Sequence, residues 1–451
     1  MNATIRRIEQ RQLIGLSKLR AFAYLITYLW VYFTIELLRL RLGLRRYYSL
    51  LRRLLVLVGT LSHNKVVRIN GTHKFQIYLP AFPSPAFFHS LQKYDPATPN
   101  PGPITVVLSM TKACSYKCPH CYQRLDQGRE VEMALLIDVV HQMQDMGVST
   151  FDIEGGEPML RFERLCELLS AFDSRAEIWV NTTGHQLTSE KARRMRELGV
   201  FGVYVSIHSA DAATYDLFTG VPGSLARASD AIRLLHDVGI ATAINYCASP
   251  ADIEDGGVER VFDLARDLEV AFVQVIHGKS AGAWLQNTDN LVHAPVQIEK
   301  LRSLHLQYNT NRNYRDYPCA AVQVFEEQAA LFGCTAGGID RFYLNHAGEV
   351  QPCEFLNVSF GNVTTEPFSE IFERMRRHFA VPGQHWLCST ESASIARAIE
   401  QQGNNQTPLS RPHTEALLAN WDKGPPTPLY TRLGIYSATR QRSRAQRTSS
   451  Q

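Results

Sequence analysis

Acidic side chains are almost missing from the start of this 451-residue chain: residues 1–60 hold Glu9, Glu36 and no aspartate, against eleven Arg and Lys. That stretch is +9 while the whole chain is +4, so the other residues carry −5 and the basic character is local to the N-terminus. No nucleic acid is therefore expected among the partners. Cysteine is sparse as well, nine residues, an odd number in a chain this long. That excludes a secreted disulfide framework and points to metal ligands in a reducing compartment, the cytoplasm. No small-residue cleavage site follows the long apolar run at residues 21–38, which excludes a cleavable signal peptide. Apolar runs are also lacking past residue 390, and residues 437–451, with four arginines, read as disordered.

What the N-terminus does have is membrane character. Residues 21–38 are apolar apart from Glu36, and as a helix they extend about 27 Å, just short of a hydrocarbon core of about 30 Å. Basic residues stand on both sides, so charge sets no orientation. Helical periodicity then puts Leu40, Leu44, Tyr47, Leu51, Leu54, Leu55 and Val58 on one arc and Arg39, Arg41, Arg45, Arg46, Arg52 and Arg53 on the opposite one. Such a helix suits an anionic bilayer surface; the alternative is a helix packed on its own protein with a solvated basic face. We expect a peripheral or monotopic membrane segment over residues 1–60. A β-hairpin turning at Asn70-Gly71 and a Pro-rich connector follow over residues 61–103.

The stretch ITVVLSMTKACSYKCPHCYQ, residues 104–123, organises the remainder. A β-rich run ends in a polar turn with Cys114, Cys118 and Cys121 spaced C-x3-C-x2-C. Three thiolates on one loop select an iron–sulfur cluster, zinc or Cu(I). A fourth cysteine is missing locally. A [4Fe–4S] cluster on three cysteines keeps one iron open, whereas zinc would need a fourth ligand, for which His120 is the local candidate. A second β-rich run, 150–153, leads into Glu154-Gly155-Gly156-Glu157-Pro158, whose glycines permit close backbone approach.

The three-cysteine loop followed by this motif closely resembles the radical SAM superfamily. The resemblance implies an open iron that binds S-adenosylmethionine (SAM) and an electron transfer that cleaves it to a 5′-deoxyadenosyl radical. It implies cofactor contacts from Gly155, Gly156, Glu157 and Pro158, with Glu157 accepting from the SAM ammonium, and from Tyr122, Asn181 and Ser206. His120 stands where the family usually has an aromatic residue, so the adenine contact there is expected to differ.

Strand and helix patterns alternate from residue 104 to residue 276, with strands at 104–108, 150–153, 177–181, 203–207, 241–246 and 271–276. Alternation implies a parallel sheet with right-handed crossovers, and six strands resemble the α/β, partial (β/α)6 TIM-like barrel of that superfamily over residues 104–300. Sites in such barrels collect at the C-terminal strand ends. Thr183, His208, Asn245, Gln274 and His277 are further strand-end candidates, and Cys247 is a candidate hydrogen-atom donor or a small buried hydrophobe. Cys166 reads as core.

Residues 301–390 carry Cys319, Cys334, Cys353 and Cys388. The spacing from Cys334 through Gly348 to Cys353 resembles the opening of SPASM and twitch domains, which implies one auxiliary [4Fe–4S] cluster. Cys319 is the expected fourth ligand, with His385 or an open iron as alternatives, and a zinc ribbon remains a second reading. Residues 391–451 read as a partly disordered tail. The reaction expected from the resemblance is hydrogen abstraction, with a flavodoxin or ferredoxin as reductant. The basic N-terminus suggests a lipid or lipid-linked sugar as substrate; peptide maturation and non-catalytic electron transfer are the alternatives.

Overall fold

Val106, Leu108, Phe151, Ile153, Val180, Val203 and Val205 are buried in one core with the helix residues Val139, Val140, Leu165, Leu168, Ala228 and Ile232. Their alternation is what makes strands here: each buries one set of side chains under a helix and turns the other set inward. The structure, a computed structural model, describes residues 6–98, 100–285, 291, 294–403 and 405–436; residues 437–451, expected to be disordered, lie outside the described residues.

A small antiparallel sheet comes first, β1 (Gln10–Leu13), β2 (Val66–Ile69) and β3 (Thr72–Lys74), in the order β1-β2-β3. The expected turn at Asn70-Gly71 is present with both residues at positive φ. Between β1 and β2 run two helices, α1 (Gly15–Leu38) and α2 (Leu44–Leu61).

The main sheet has nine strands: β4 (Thr105–Ser109), β5 (Thr150–Glu154), β6 (Glu177–Thr182), β7 (Val200–Ser206), β8 (Ala241–Ala248), β9 (Phe272–His277), β10 (Cys319–Val322), β11 (Arg341–Leu344) and β12 (Val350–Gln351), in the order β10-β9-β8-β7-β6-β5-β4-β11-β12. The six expected strands are all there and parallel. The sequence reading missed two more: β10 pairs parallel with β9, and β11 pairs parallel with β4. The run Arg341–Leu344 forms the expected hairpin with β12 around Gly348 and, in addition, extends the main sheet beside β4.

The N-terminal unit closes the end of the sheet where the strands begin. Gln12 donates to the carbonyl of Ala271, Asn70 to that of Gly239, and Lys65 to those of Tyr314 and Tyr317. The second hairpin strand stops at Lys74, because residues 75–82 turn in under the sheet; Phe75, Ile77 and Phe82 are fully buried and Thr150 donates to the Tyr78 carbonyl at 3.1 Å.

This arrangement corrects the reading of α2. Arg53 is buried and donates to the carbonyls of Tyr94 and Gly434, Arg52 donates to that of Arg432, and Arg46 pairs with Asp95. The basic face is therefore divided: Arg53 and Arg52 satisfy carbonyls of the body and Arg46 meets a carboxylate, which apolar side chains could not do, while Arg39, Arg41 and Arg45 stay exposed. The apolar arc divides too, with Tyr47 and Leu54 buried and Leu44 and Leu55 exposed. Helix α1, at 24 residues, is about 36 Å long. Ala21, Phe22, Leu25, Leu29 and Phe33 pack on the body, Phe22 against Phe75 at 5.0 Å, so the helix lies along the protein. Its outer face stays apolar: Leu16, Leu19, Tyr24, Tyr28, Trp30, Val31, Tyr32, Ile35 and Leu38 are exposed.

Candidate functional site

The C-terminal strand ends surround a cavity of about 440 Å³ lined by residues of the cysteine loop, of Glu154-Gly155-Gly156, and of the ends of β6 to β9. Cys114, Cys118, Cys121, Tyr122, Gly155, Gly156, Asn181, Thr183, Ser206, His208, Asn245, Cys247 and His277 all line it, so most of the sequence candidates meet in one place. Gln274 does not; its amide donates to Tyr78 at the opposite end. Asn245 donates to Asn181 at 3.4 Å across the mouth, and Cys247 N to His208 Nδ1 at 3.1 Å.

The glycine motif works differently from expectation. A side chain on Gly155 would meet the Thr111 carbonyl at 2.4 Å, and one on Gly156 the Ala113 carbonyl at 2.3 Å. Gly155 also has φ +155. The missing side chains let this turn lie against the start of the cysteine loop, where Gly156 N donates to Thr111 O and Glu157 N to Ala113 O, each at 2.8 Å. Glu157 is fully buried and already accepts from Thr182 Oγ1 (2.6 Å), Thr183 Oγ1 (2.6 Å), Thr183 N (2.8 Å) and Met159 N (3.1 Å). Four donors fill its acceptor sites. The expected direct bond from a SAM ammonium to Glu157 is thus corrected: the carboxylate ties β5 to the end of β6, and neither it nor Pro158 borders the cavity.

Burial raises the thiols of the loop, Cys114 to about 11 and Cys118 to about 12. They are neutral at physiological pH until a metal displaces their protons. His120 does not serve as a fourth ligand to them: its ring packs 4.5 Å from His208 and 4.9 Å from Phe218, and burial lowers its pKa to about 4. Burial likewise lifts Cys247 to about 12, keeping an S–H at the cavity wall.

Two residues that sequence reasoning left unassigned stand out. Glu154 faces the cavity with Oε1 lacking a partner, and burial holds its carboxyl well above the usual range. Lys279, two residues past β9, is 7% exposed and also lines the cavity. The strand-end rule could have reached Lys279 had it been carried past His277.

The C-terminal cysteines gather behind the Lys279 wall of the cavity without lining it. Gly337 N donates to Pro352 O at 2.8 Å, bringing the loop after Cys334 beside Cys353, and burial, with a smaller contribution from the nearby Cys388 thiol, raises the pKa of both. Cys353 Sγ donates to Glu354 at 3.0 Å, and Cys388 Sγ is 3.5 Å from Lys279 Nζ. Cys319 is not with them. It pairs with Phe272 at the start of β9, beside Lys65, whereas Cys388 stands past the end of that strand; a strand of six residues separates the two by roughly 16 Å or more. His385 is turned toward Asp422. The expected fourth ligands are therefore corrected, and three thiols remain at this wall.

Two separate sets of three thiols, neither drawn together among the described residues closely enough to grip an ion as it stands, and a cavity of the size of a nucleoside ligand site fit a pair of iron–sulfur clusters and SAM once metal gathers the thiols. That defines a class, a SAM-dependent iron–sulfur enzyme on a partial parallel barrel. Comparison with known families places it further: residues 108–256 match the radical SAM superfamily and residues 334–390 match SPASM, an iron–sulfur cluster-binding domain. The chain thus carries a radical SAM domain and a C-terminal SPASM domain, which bring [4Fe–4S] clusters and SAM as cofactors and set aside the electron-carrier reading.

Among its relatives is the AdoMet-dependent heme synthase of Nitratidesulfovibrio vulgaris, 28% identical over 305 residues, 61% of this chain and 79% of that protein. Another is the PqqA peptide cyclase of Gluconobacter oxydans, 26% identical over 300 residues, 64% of this chain and 81% of that one. Streptococcus suis SuiB shares the fold: bound to S-adenosylmethionine it aligns with TM-score 0.52 and 14% identity over 68% of this chain and 76% of its own. Bound to precursor peptide SuiA it aligns with TM-score 0.50 and 16% identity over 60% and 64%. The chain thus spans slightly less than two thirds of the peptide-bound SuiB chain.

Proposed function

We propose that this enzyme modifies a peptide by hydrogen abstraction at the cavity between the cysteine loop and the SPASM domain. The observation that carries the reading is the convergence of Cys114, Cys118 and Cys121 with Asn181, Ser206 and Cys247 on one cavity, in a chain related to a peptide cyclase. When bound, the cluster and SAM supply an electron and a 5′-deoxyadenosyl radical. The three thiols hold the cluster; Gly155, Gly156, Tyr122, Asn181 and Ser206 line the SAM side, and Glu157 positions that wall through Thr182 and Thr183. The wall of Cys334, Cys353 and Cys388 holds the auxiliary cluster. Cys247, protonated and lining the cavity, can return a hydrogen atom to a substrate radical. A heme precursor is the second reading, favoured by the 28% identity to a heme synthase.

Membrane contact is supported by the exposed apolar face of α1 with Arg20, Arg39 and Arg41 near its ends. That face belongs to the unit at the strand-start end of the sheet, with the cavity at the strand-finish end. A substrate embedded in the bilayer would have to cross the length of the strands, which is why a lipid gives way to a peptide. The test is anaerobic turnover with SAM, a flavodoxin or ferredoxin, and short peptides encoded beside the gene. The reading expects one such peptide to be altered at one C–H position as 5′-deoxyadenosine accumulates, its mass unchanged in water and raised by one deuterium in D2O, where the Cys247 thiol has exchanged. Turnover of a porphyrin carboxylate with no peptide accepted would replace it by the second reading.

A further inference from the structure

Four lysines are buried among the described residues, Lys65, Lys74, Lys93 and Lys279. Three have oxygen partners in the protein. Lys74 pairs with Glu177, Lys93 with Asp340 at 2.6 Å, and Lys65 donates to two carbonyls at 2.5 and 2.6 Å. Lys279 has no oxygen partner among the described residues. Its Nζ reaches His277 Nε2 at 3.1 Å and Cys388 Sγ at 3.5 Å, and it lies 5.6 Å and 5.7 Å from the ring centres of Phe355 and Trp386. An ammonium has three hydrogens to donate, and leaving one without an acceptor in a buried wall is costly.

We infer that Lys279 binds a substrate carboxylate, so that the cavity selects an anionic organic acid group and holds it beside Phe355, on the wall that separates the cysteine loop from the SPASM cysteines. The geometry favours carboxylate over phosphate. A phosphate is met by a guanidinium fork or a nest of backbone N–H groups, whereas here a single buried ammonium stands beside Phe355; of the other lysines lining the cavity, Lys112 donates to the Asp126 carbonyl and Lys117 is exposed. Arg124, the only arginine lining the cavity among the described residues, is directed to the Cys118 carbonyl at 3.4 Å. Glu154 also lines the cavity, and no ion pair joins it to Lys279 among the described residues. The inference rests on the cavity being the substrate site; it does not depend on the substrate being a peptide.

The alternative role for Lys279 is to donate to the Cys388 sulfur alone, and calorimetry separates the two. The full chain, reconstituted with iron and sulfide and saturated with SAM, is titrated with glutarate and with its neutral diamide. Saturable binding of glutarate but not of the diamide is expected. Lys279→Met should weaken it about ten- to a hundredfold, the size of a lost charge-assisted hydrogen bond, while Lys279→Arg stays within a fewfold. Iron content and the electron paramagnetic resonance of both clusters should be unchanged in Lys279→Met. Absent glutarate binding in the parent, equal binding in Lys279→Met, or a changed auxiliary-cluster signal with binding intact would overturn the inference. Should Lys279→Met lose iron, Lys279→Gln, which keeps a donor toward Cys388, takes its place, and loss of iron there too assigns the lysine to the cluster. If Lys279-dependent glutarate binding persists while no peptide is turned over, the peptide reading falls and this one stands.

Discussion

Lys74 and Lys279 are buried at opposite ends of one parallel sheet, and their surroundings could hardly differ more. Lys74 pairs with Glu177 and donates to the Leu79 carbonyl at 2.8 Å, while Glu177 also accepts from Ala81 N and Trp179 Nε1. Nearby, Arg341 meets Glu327 at 2.9 Å and Lys93 meets Asp340. At that end each buried ammonium is met by oxygens of the protein itself, and residues 75–82 turn in under the sheet. At the other end Glu154 and Lys279 face a cavity with acceptor or donor capacity to spare. Saturated polar networks hold a fold together; unsaturated ones invite a ligand.

The largest effect expected from this contrast is on stability. Lys74→Met leaves the Glu177 carboxylate buried without its cation and should cost about 3 to 5 kcal/mol, whereas Lys279→Met should leave the midpoint of denaturant unfolding almost unmoved. Equal losses in both variants would erase the distinction between the two ends.

Acid should loosen the saturated end first. His63 and His305 meet at 2.8 Å where α2 returns to the body, and burial lowers the His63 pKa to about 4. The folded chain resists the proton that the unfolded chain accepts near pH 6.5. Stability is therefore full above that pH and declines as pH falls toward 4, by roughly 3 kcal/mol from His63. A flat unfolding midpoint from pH 7 to 4.5 in the parent, or an unaltered slope in His63→Phe, would remove this link.

Glu157 is an intermediate case, a saturated group beside the unsaturated cavity. Glu157→Gln keeps its shape but gives up charge-assisted bonds to Thr182 and Thr183, so a loss of about 1.5 to 3 kcal/mol is expected, with SAM affinity falling only as that wall loosens. A variant with an unchanged melting temperature that no longer binds SAM would restore the direct contact.

The smallest change in stability should come from the outer face of α1. Replacing Trp30, Val31, Ile35 and Leu38 with Ser removes exposed side chains and should shift stability by no more than about 0.5 kcal/mol each. Partition onto anionic vesicles should drop clearly in the same variant. Undiminished partition would detach the membrane reading from this face.

The cavity was legible in sequence because its parts lie at strand ends, and strand ends follow from alternation of apolar and helical patterns. The cysteine spacing and the glycine turn added chemistry to those places. What escaped was whatever depends on pairing across the chain. Nothing in Arg341–Leu344 says that it joins β4 in parallel, and nothing in Cys319 says which end of β10 it occupies. Glu157 looked available because its four donors come from Met159 and from the two threonines at the end of β6. The arginines of α2 followed a clean helical period, yet their acceptors are carbonyls near residues 94 and 434.

Iron content tests the central claim, two separate cysteine sets of which the first lines the cavity and the second stands behind Lys279, most directly. Anaerobically reconstituted protein should hold about eight irons, Ala at Cys114, Cys118 and Cys121 together should leave about four, and Cys319→Ala should leave about eight. Zinc without iron in the parent, or a drop to about four irons in Cys319→Ala, would contradict it.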